Sequence, residues 1–256
     1  ATDIVRGVQA WPTWSLLGAS DIRQRYRRSR IGQFWITISL GVFIASIGSI
    51  YALLFRQPPG EYIPTLAVNF VVWSFISGTI TDSTTAFVQA AGYLRQDALP
   101  KTIFVLRALT RNVIILAHNV IVIPLAFLLF LVMPNAAILL AIPGFILLLA
   151  AGFAAVLIFG ILSTRFRDLP QIIQSLLQIA FFLTPVMWRP EQLPGSSRLI
   201  VDVNPFAAFL RIVSEPILGR IPDAVAYANA LAVTAILFAI ALPLFARFRA
   251  RVVYWL

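Results

Sequence analysis

The chain has 256 residues, 60% of them hydrophobic and only 12% charged, with a mean hydropathy of +0.89. That leaves too little polar surface to cover a water-soluble globule of this length, so lipid is the expected solvent. The 20 Lys and Arg against 10 Asp and Glu do not indicate a nucleic-acid partner, because the basic residues lie between apolar runs and not along one soluble face.

The head, residues 1–33, comes first. Trp11, Trp14, Leu17, Ile22 and Tyr26 stand beside five arginines, Arg23, Arg25, Arg27, Arg28 and Arg30. An apolar and aromatic side next to concentrated arginine describes an amphipathic helix lying on the inner leaflet, where each arginine near anionic headgroups contributes about 1 kcal/mol. Anchoring is one role for it. A gate that gathers a phosphorylated lipid is the sharper one. No cleavable leader is expected, since the first long apolar run begins near residue 34 and exceeds the length of a signal-peptide core.

Six apolar runs follow, at 34–55, 64–90, 112–133, 137–162, 171–188 and 225–246. Each approaches the roughly 20 helical residues that cross a bilayer. They predict an all-α polytopic membrane protein of one domain, with spans one to five within 34–188, a loop at 189–224, span six at 225–246 and a tail at 247–256. With both ends in the cytoplasm, 15 of the 20 basic residues fall on that side and five on the other, as the positive-inside rule requires. The loop 189–224 is half apolar, including residues 199–203 and 206–213. It reads as short helices re-entering the outer membrane edge, broken at Asn204-Pro205 and Pro216, or as a packed extracytoplasmic cap.

Several spans have distinct sides. On the first, Gly41, Ala45, Gly48 and Ala52 form a small-residue stripe suited to close helix packing. Trp35, Ser39, Phe43 and Ser46 lie roughly 150° away around the helix. On the fifth, Gln171, Gln174, Ser175, Gln178, Phe181, Phe182 and Pro185 share one side, and amides do not face lipid cheaply. Such a polar-aromatic wall would line a channel for a sliding sugar chain, or would hydrogen-bond other helices. The second span carries Trp73, Ser77, Thr81 and Thr84 on one side. Asp82 and His118 are isolated intramembrane polar groups, read here as structural hydrogen-bonders.

Hydrolytic chemistry fails on inventory. There is one histidine, no cysteine and no acid-histidine cluster at metal-ligand spacing. Lys101, the one lysine, lacks the glycines of a phosphate loop before it, so any ATP used is bound, with Mg, by another chain. The loop GYLRQDALPK at 92–101 reads as a connector, or as a short coupling helix (Tyr93, Leu94, Arg95, Gln96, Asp97) that docks on a motor subunit, with RFRD at 165–168 assisting.

DIRQRYRRSRIGQFW at 21–35, LRQDALPKTIFVLR at 94–107, RDLPQIIQSLLQIAFFLTPVMW at 167–188 and NPFAAFLR at 204–211, in this order between the spans, resemble the permease subunits of ABC-2 type polysaccharide exporters. These move lipid-linked O-antigen, capsular polysaccharide or teichoic acid. The resemblance implies a homodimer with two separate ATPase subunits in a bacterial inner membrane, a head helix at the cytoplasmic gate, and first and fifth spans walling a channel. It also implies coupling near 92–101 and gate helices within 195–222. The expected substrate is a lipid-linked glycan, O-antigen first among them, with no cofactor on this chain. The alternatives are an exporter of drugs or simple lipids, and a membrane-embedded enzyme acting on lipid-linked sugars.

Overall fold

The computed structural model describes residues 2–96, 99–192 and 199–256. Among these residues every regular element is helical and there is no strand. In chain order they are α1 (Thr2–Gln9), α2 (Trp11–Arg25), α3 (Phe34–Leu54), α4 (Pro59–Ser83), α5 (Ala91–Gln96), α6 (Thr102–Asn119), α7 (Val122–Leu129), α8 (Ala141–Arg165), α9 (Leu169–Leu183), α10 (Leu199–Asp202), α11 (Pro205–Ile217), α12 (Ala224–Phe248) and α13 (Val252–Trp255).

Five helical stretches are long and apolar enough to cross a membrane: α3, α4, α6 with α7, α8 with the 3-10 turn before it, and α12. The fifth apolar run folds differently from its length in sequence. Its helix α9 has 15 residues and rises about 22 Å, short of a hydrocarbon core of about 30 Å. Thr184 leaves the helix in an extended conformation, and the run continues as turns to residue 188.

Helix α4 is the hub. It packs against α3, α6, α7, α8, α9 and α11, and Leu66, Ala67, Val68, Val71 and Phe75 are buried along it. The small-residue stripe of α3 meets it as expected. A Cβ at Gly48 would lie 3.1 Å from Ile63, and Ala52 is buried. Ala45 is exposed, and the buried neighbour is Ile44. Gly48 and Ala52 of the stripe therefore face the bundle, with Ile44 in place of Ala45.

Two ends of the molecule follow from the contacts. At the head end, Asp3 on α1 accepts hydrogen bonds from the backbone N–H of Lys101 (3.1 Å), that of Thr102 (3.1 Å) and the Thr102 hydroxyl (2.8 Å). It thereby satisfies donors that open α6. Gly7 and Gly18 let the head lie flat on this helix, since a Cβ would strike Thr102 at the first and Thr110 at the second. At the far end, Asn204 caps α11 by accepting from the N–H groups of Phe206 and Ala207. That helix closes in a Schellman turn, with Gly219 at φ +80° and the Arg220 N–H bonded to the Glu215 carbonyl at 2.8 Å.

Three expectations are corrected. The head is two helices, α1 and α2, followed by turns at 26–33, and not one helix through Gln33. Pro216 does not break α11 but sits in its last turn, where it removes one i→i−4 hydrogen bond and no further turn of helix follows to be disrupted. The third span begins near residue 102, not 112, so Arg107 and Arg111 lie inside α6 and not in a loop.

Arg111 is 4% exposed and is held from three sides. Its Nε donates to Asp82 at 2.8 Å, and its Nη1 donates to Asp21 at 3.1 Å and to Gln89 at 2.9 Å. Arg107 grips Asp21 in bidentate fashion at 2.8 and 2.6 Å. Asn112 donates to Asp82 at 3.0 Å. Asp82 thus accepts from both Arg111 and Asn112. His118 Nδ1 lies 2.8 Å from the Ile114 carbonyl of its own helix.

Replacing Arg111 by Met leaves Asp21 and Asp82 facing each other with one guanidinium fewer. The expected loss is about 3–5 kcal/mol, the cost of removing one partner from a buried pair. It is read as a lowered denaturation midpoint of the purified protein in detergent, and an unchanged midpoint would show that the cluster holds nothing together.

Candidate functional site

Two of the stripes converge. Trp73, Ser77 and Thr81 recur every four residues on α4 and so share one face. Opposite them, α9 presents Gln174, Gln178, Phe181 and Phe182, with Leu177 at the base. Together they line an open groove of about 340 Å³.

Aromatic contacts fix the relative register of four helices. Phe43 of α3 meets Phe70 of α4 edge-on at 5.1 Å, and Phe70 meets Phe181 of α9 at 5.6 Å. Trp73 packs on Phe181 at 5.6 Å and on Phe206 of α11 at 5.7 Å. Phe181 continues to Phe182 at 5.4 Å. Such pairs contribute about 0.5–1.5 kcal/mol each beyond their buried area.

The polar groups of α9 are unspent. Among the described residues, the side-chain amides of Gln171, Gln174 and Gln178 make no hydrogen bond to protein, and all three residues are exposed. Only Ser175 is engaged, donating to the Gln171 carbonyl at 3.1 Å. Ile173 and Leu177 hold the helix to the bundle by their burial.

The first-span stripe is only partly joined to this groove. Trp35, Ser39, Phe43 and Ser46 are all exposed, and Ser39 donates to its own helix at the Ile36 carbonyl. Phe43 alone reaches the aromatic chain, through Phe70. Phe70 was missed in the sequence because it stands in an apolar helix with nothing to set it apart. Trp73, Ser77 and Thr81 carried a signal in their spacing, but not the identity of the helix they face.

Arg23, Arg25, Arg27, Arg28 and Arg30 are exposed and make no ion pair among the described residues. They occupy the end of α2 and the turns after it, while Gly18 and Ile22 of α2 are buried. The 92–101 loop does contain a helix, α5, with Tyr93, Arg95 and Gln96 exposed. Leu94 is a correction, since it is buried beside Phe104 and anchors α5, leaving nothing for a partner. Tyr93 is also engaged, with Phe104 at 6.1 Å and the Arg107 guanidinium 6.0 Å from its ring centre. Asp97 lies outside the described residues.

No group of His, Asp and Glu that could hold a metal occurs among the described residues. At the far end Arg211 hydrogen-bonds Glu215 at 2.8 Å and Asp223 at 2.7 Å. Burial works against its charge, but these bonds outweigh burial and raise the Arg211 pKa, so the cation is held more firmly.

Fold and groove define a multi-pass helical membrane protein with a polar-aromatic side wall. The sequence profile of the ABC-2 type transporter family matches residues 13–218, and the chain belongs to that family. Its relatives include two proteins of Klebsiella pneumoniae called O-antigen export system permease protein RfbA. One is 22% identical over 195 residues and the other 24% over 198, each match covering 74% of both chains. A Myxococcus xanthus protein of the same description is 24% identical over 216 residues, covering 80% of both chains.

The chain has no cysteine, which makes single cysteines a clean probe of the groove. Cysteine at Gln174 or Gln178 is expected to react with a water-soluble maleimide in the detergent-purified protein. Cysteine at Ile173, which is buried and does not line the groove, is expected to stay unlabelled. Equal labelling on both faces would remove the groove.

Proposed function

We propose that this chain is the permease subunit of an ATP-driven exporter that carries a lipid-linked polysaccharide, O-antigen foremost, across the bacterial cytoplasmic membrane. The observation that carries the reading is the groove between α4 and α9, whose unpartnered amides stand beside an aromatic chain. Amides exchange hydrogen bonds with sugar hydroxyls as readily as with water, and aromatic rings accept the C–H faces of pyranoses. The names of the three relatives support the same substrate.

In this reading the polypeptide crosses six times. The fifth crossing is α9 with the irregular segment to residue 188, which tolerates its loss of helix because it is packed against protein. Residues 189–224, with α10 and α11, form the outer gate. Both termini are cytoplasmic, in keeping with the 15 of 20 basic residues on that side. A second copy of the chain closes the open side of the groove, and two ATPase chains bind ATP and Mg below the membrane.

The mechanism is a population shift, in which ATP binding favours one arrangement of the two permeases over the other. Arg23, Arg25, Arg27, Arg28 and Arg30 gather the phosphorylated lipid end at the cytoplasmic surface. Tyr93, Arg95 and Gln96 on α5 couple to the motor. An exporter of drugs or simple lipids would have no use for three unpartnered glutamines, which is why the glycan reading is preferred.

Trp73→Ala combined with Gln178→Leu is expected to lower surface O-antigen about tenfold or more in cells that supply the ATPase. That corresponds to about 1.4 kcal/mol of lost differential interaction. Copurification of the ATPase should be unchanged. Normal surface polysaccharide in this variant would remove the groove from the pathway. By contrast, Arg95→Glu is expected to weaken ATPase copurification while leaving the folded permease intact.

A further inference from the structure

The far end holds a second polar cavity, separate from the groove. One wall is the segment after α9, fixed to α4 by three hydrogen bonds. Asn69 donates to the carbonyls of Pro185 and Val186 at 3.3 Å each, and the Tyr62 hydroxyl donates to the Met187 carbonyl at 2.6 Å. The other wall is α11, held at its start by the Asn204 cap. Between them is a space of about 340 Å³, lined among others by Trp188, Arg189, Asp202, Arg211 and Ser214.

Two of the lining residues each carry a buried polar atom with no hydrogen-bond partner among the described residues, Ser214 Oγ and Arg189 Nε. Ser214 is 3% exposed. Native interiors seldom leave such groups unsatisfied unless something comes to meet them.

The surrounding charges restrict what that something is. Glu191, Asp202, Glu215 and Asp223 line the cavity against Arg189, Arg211 and Arg220. Among the described residues carboxylates outnumber guanidinium groups, so a phosphate or carboxylate ligand meets net repulsion from them. A metal ion is also disfavoured. Arg211 already sits among three carboxylates, at 2.8 Å from Glu215, 2.7 Å from Asp223 and 3.8 Å from Asp202. An apolar ligand would bury the unpaired hydroxyl and N–H for good. What remains is a neutral molecule dense in hydroxyls, able to donate and accept at once, with an apolar face for the Trp188 ring.

The path of the chain connects this cavity to the groove. Phe182 lines the groove, and Pro185 and Trp188 line the cavity a few residues later. Phe206, which touches Trp73, lies on the same helix as Arg211 and Ser214. From these observations we infer that the far-end cavity binds a single neutral pyranose unit of the exported glycan as it leaves the groove. The site rests on the glycan-export reading. It gives that path a holding point, where an emerging sugar is retained while the two gates change state.

The test is saturation-transfer NMR on the full chain in detergent, with the methyl pyranosides of glucose, galactose, mannose, rhamnose and N-acetylglucosamine as probes. At least one is expected to receive saturation. Its apparent affinity should fall about tenfold in Ser214→Phe, the loss that an unmade buried hydrogen bond produces. Asp202→Asn, on the exposed rim, serves if the first variant misfolds, and its signal should fall likewise. Met133→Ala, at an exposed residue that lines neither the groove nor the cavity, should leave the signal unchanged. No transfer from any probe, or transfer that persists in the folded pocket variants, overturns the site. If that occurs while groove variants still lose export, the export reading stands without it. Pocket binding beside normal export in the groove variants overturns the groove as the path and leaves the pocket.

Discussion

A guanidinium buried inside a membrane bundle has to be satisfied by protein, because taking it out of water costs several kcal/mol even after relaxation. Arg111 meets that demand by drawing three otherwise independent segments to one point. Asp21 comes from the head, Asp82 from the end of α4 and Gln89 from the turns that follow. The head therefore does not float on the bundle but is tied to α6 through Asp21, and again through Asp3 at the start of that helix. The same cluster sets the position of α4. Asp82 directly follows Thr81, which lines the groove, and Gly78 gives Asn112 room to approach, since a Cβ there would stand 2.8 Å from its Oδ1. Polar satisfaction at the head end thus fixes the helix face on which the groove is built.

This cluster also explains where the sequence could be read and where it could not. Hydropathy located the apolar runs because each crossing must satisfy its own backbone over a bilayer thickness, a requirement that leaves a mark in one dimension. Arg107 and Arg111 misplaced the start of the third span for the same reason, since charge in a sequence reads as loop unless its partners are known. Asp21 is 86 and 90 residues away from them, and nothing local announces it. The end of the second span was overrun. Residues 84–90 are apolar enough to continue a helix, yet they form turns in which the Thr84 and Thr85 hydroxyls bond backbone carbonyls three residues earlier.

The groove divides in the same way. Its α9 wall was legible because three glutamines on one side of an apolar helix have no cheap place in lipid. Its α4 wall was visible only as a stripe without a destination. Phe70 could not be told from the other apolar residues of α4, because the contact that gives it a role, with Phe43 on one side and Phe181 on the other, depends on the register between helices. Leu94 shows the opposite failure. A short polar loop predicts exposure for all its residues, whereas a helix of six residues needs at least one apolar anchor to stay docked.

A wall that binds a polymer too well would stop it. A net hydrogen bond contributes only about 0.5–1.5 kcal/mol once the exchange with water is counted, so on the export reading amides facing an open groove would offer each sugar ring contacts renewed at the next step with little gain or loss. The aromatic chain is similarly repetitive, passing from Phe43 through Phe70, Phe181 and Trp73 to Phe206 at spacings of 5.1–5.7 Å. Such a surface guides without selecting, and by itself it has no direction. Direction on the export reading must come from the two ends. On that reading the exposed arginines of the head end gather the phosphorylated lipid, and the far-end cavity, where carboxylates outnumber guanidinium groups among the described residues, receives the neutral sugars. The contrast in charge between those ends, along one path, is what would make entry by the anionic end of the substrate and departure of its sugars two different events.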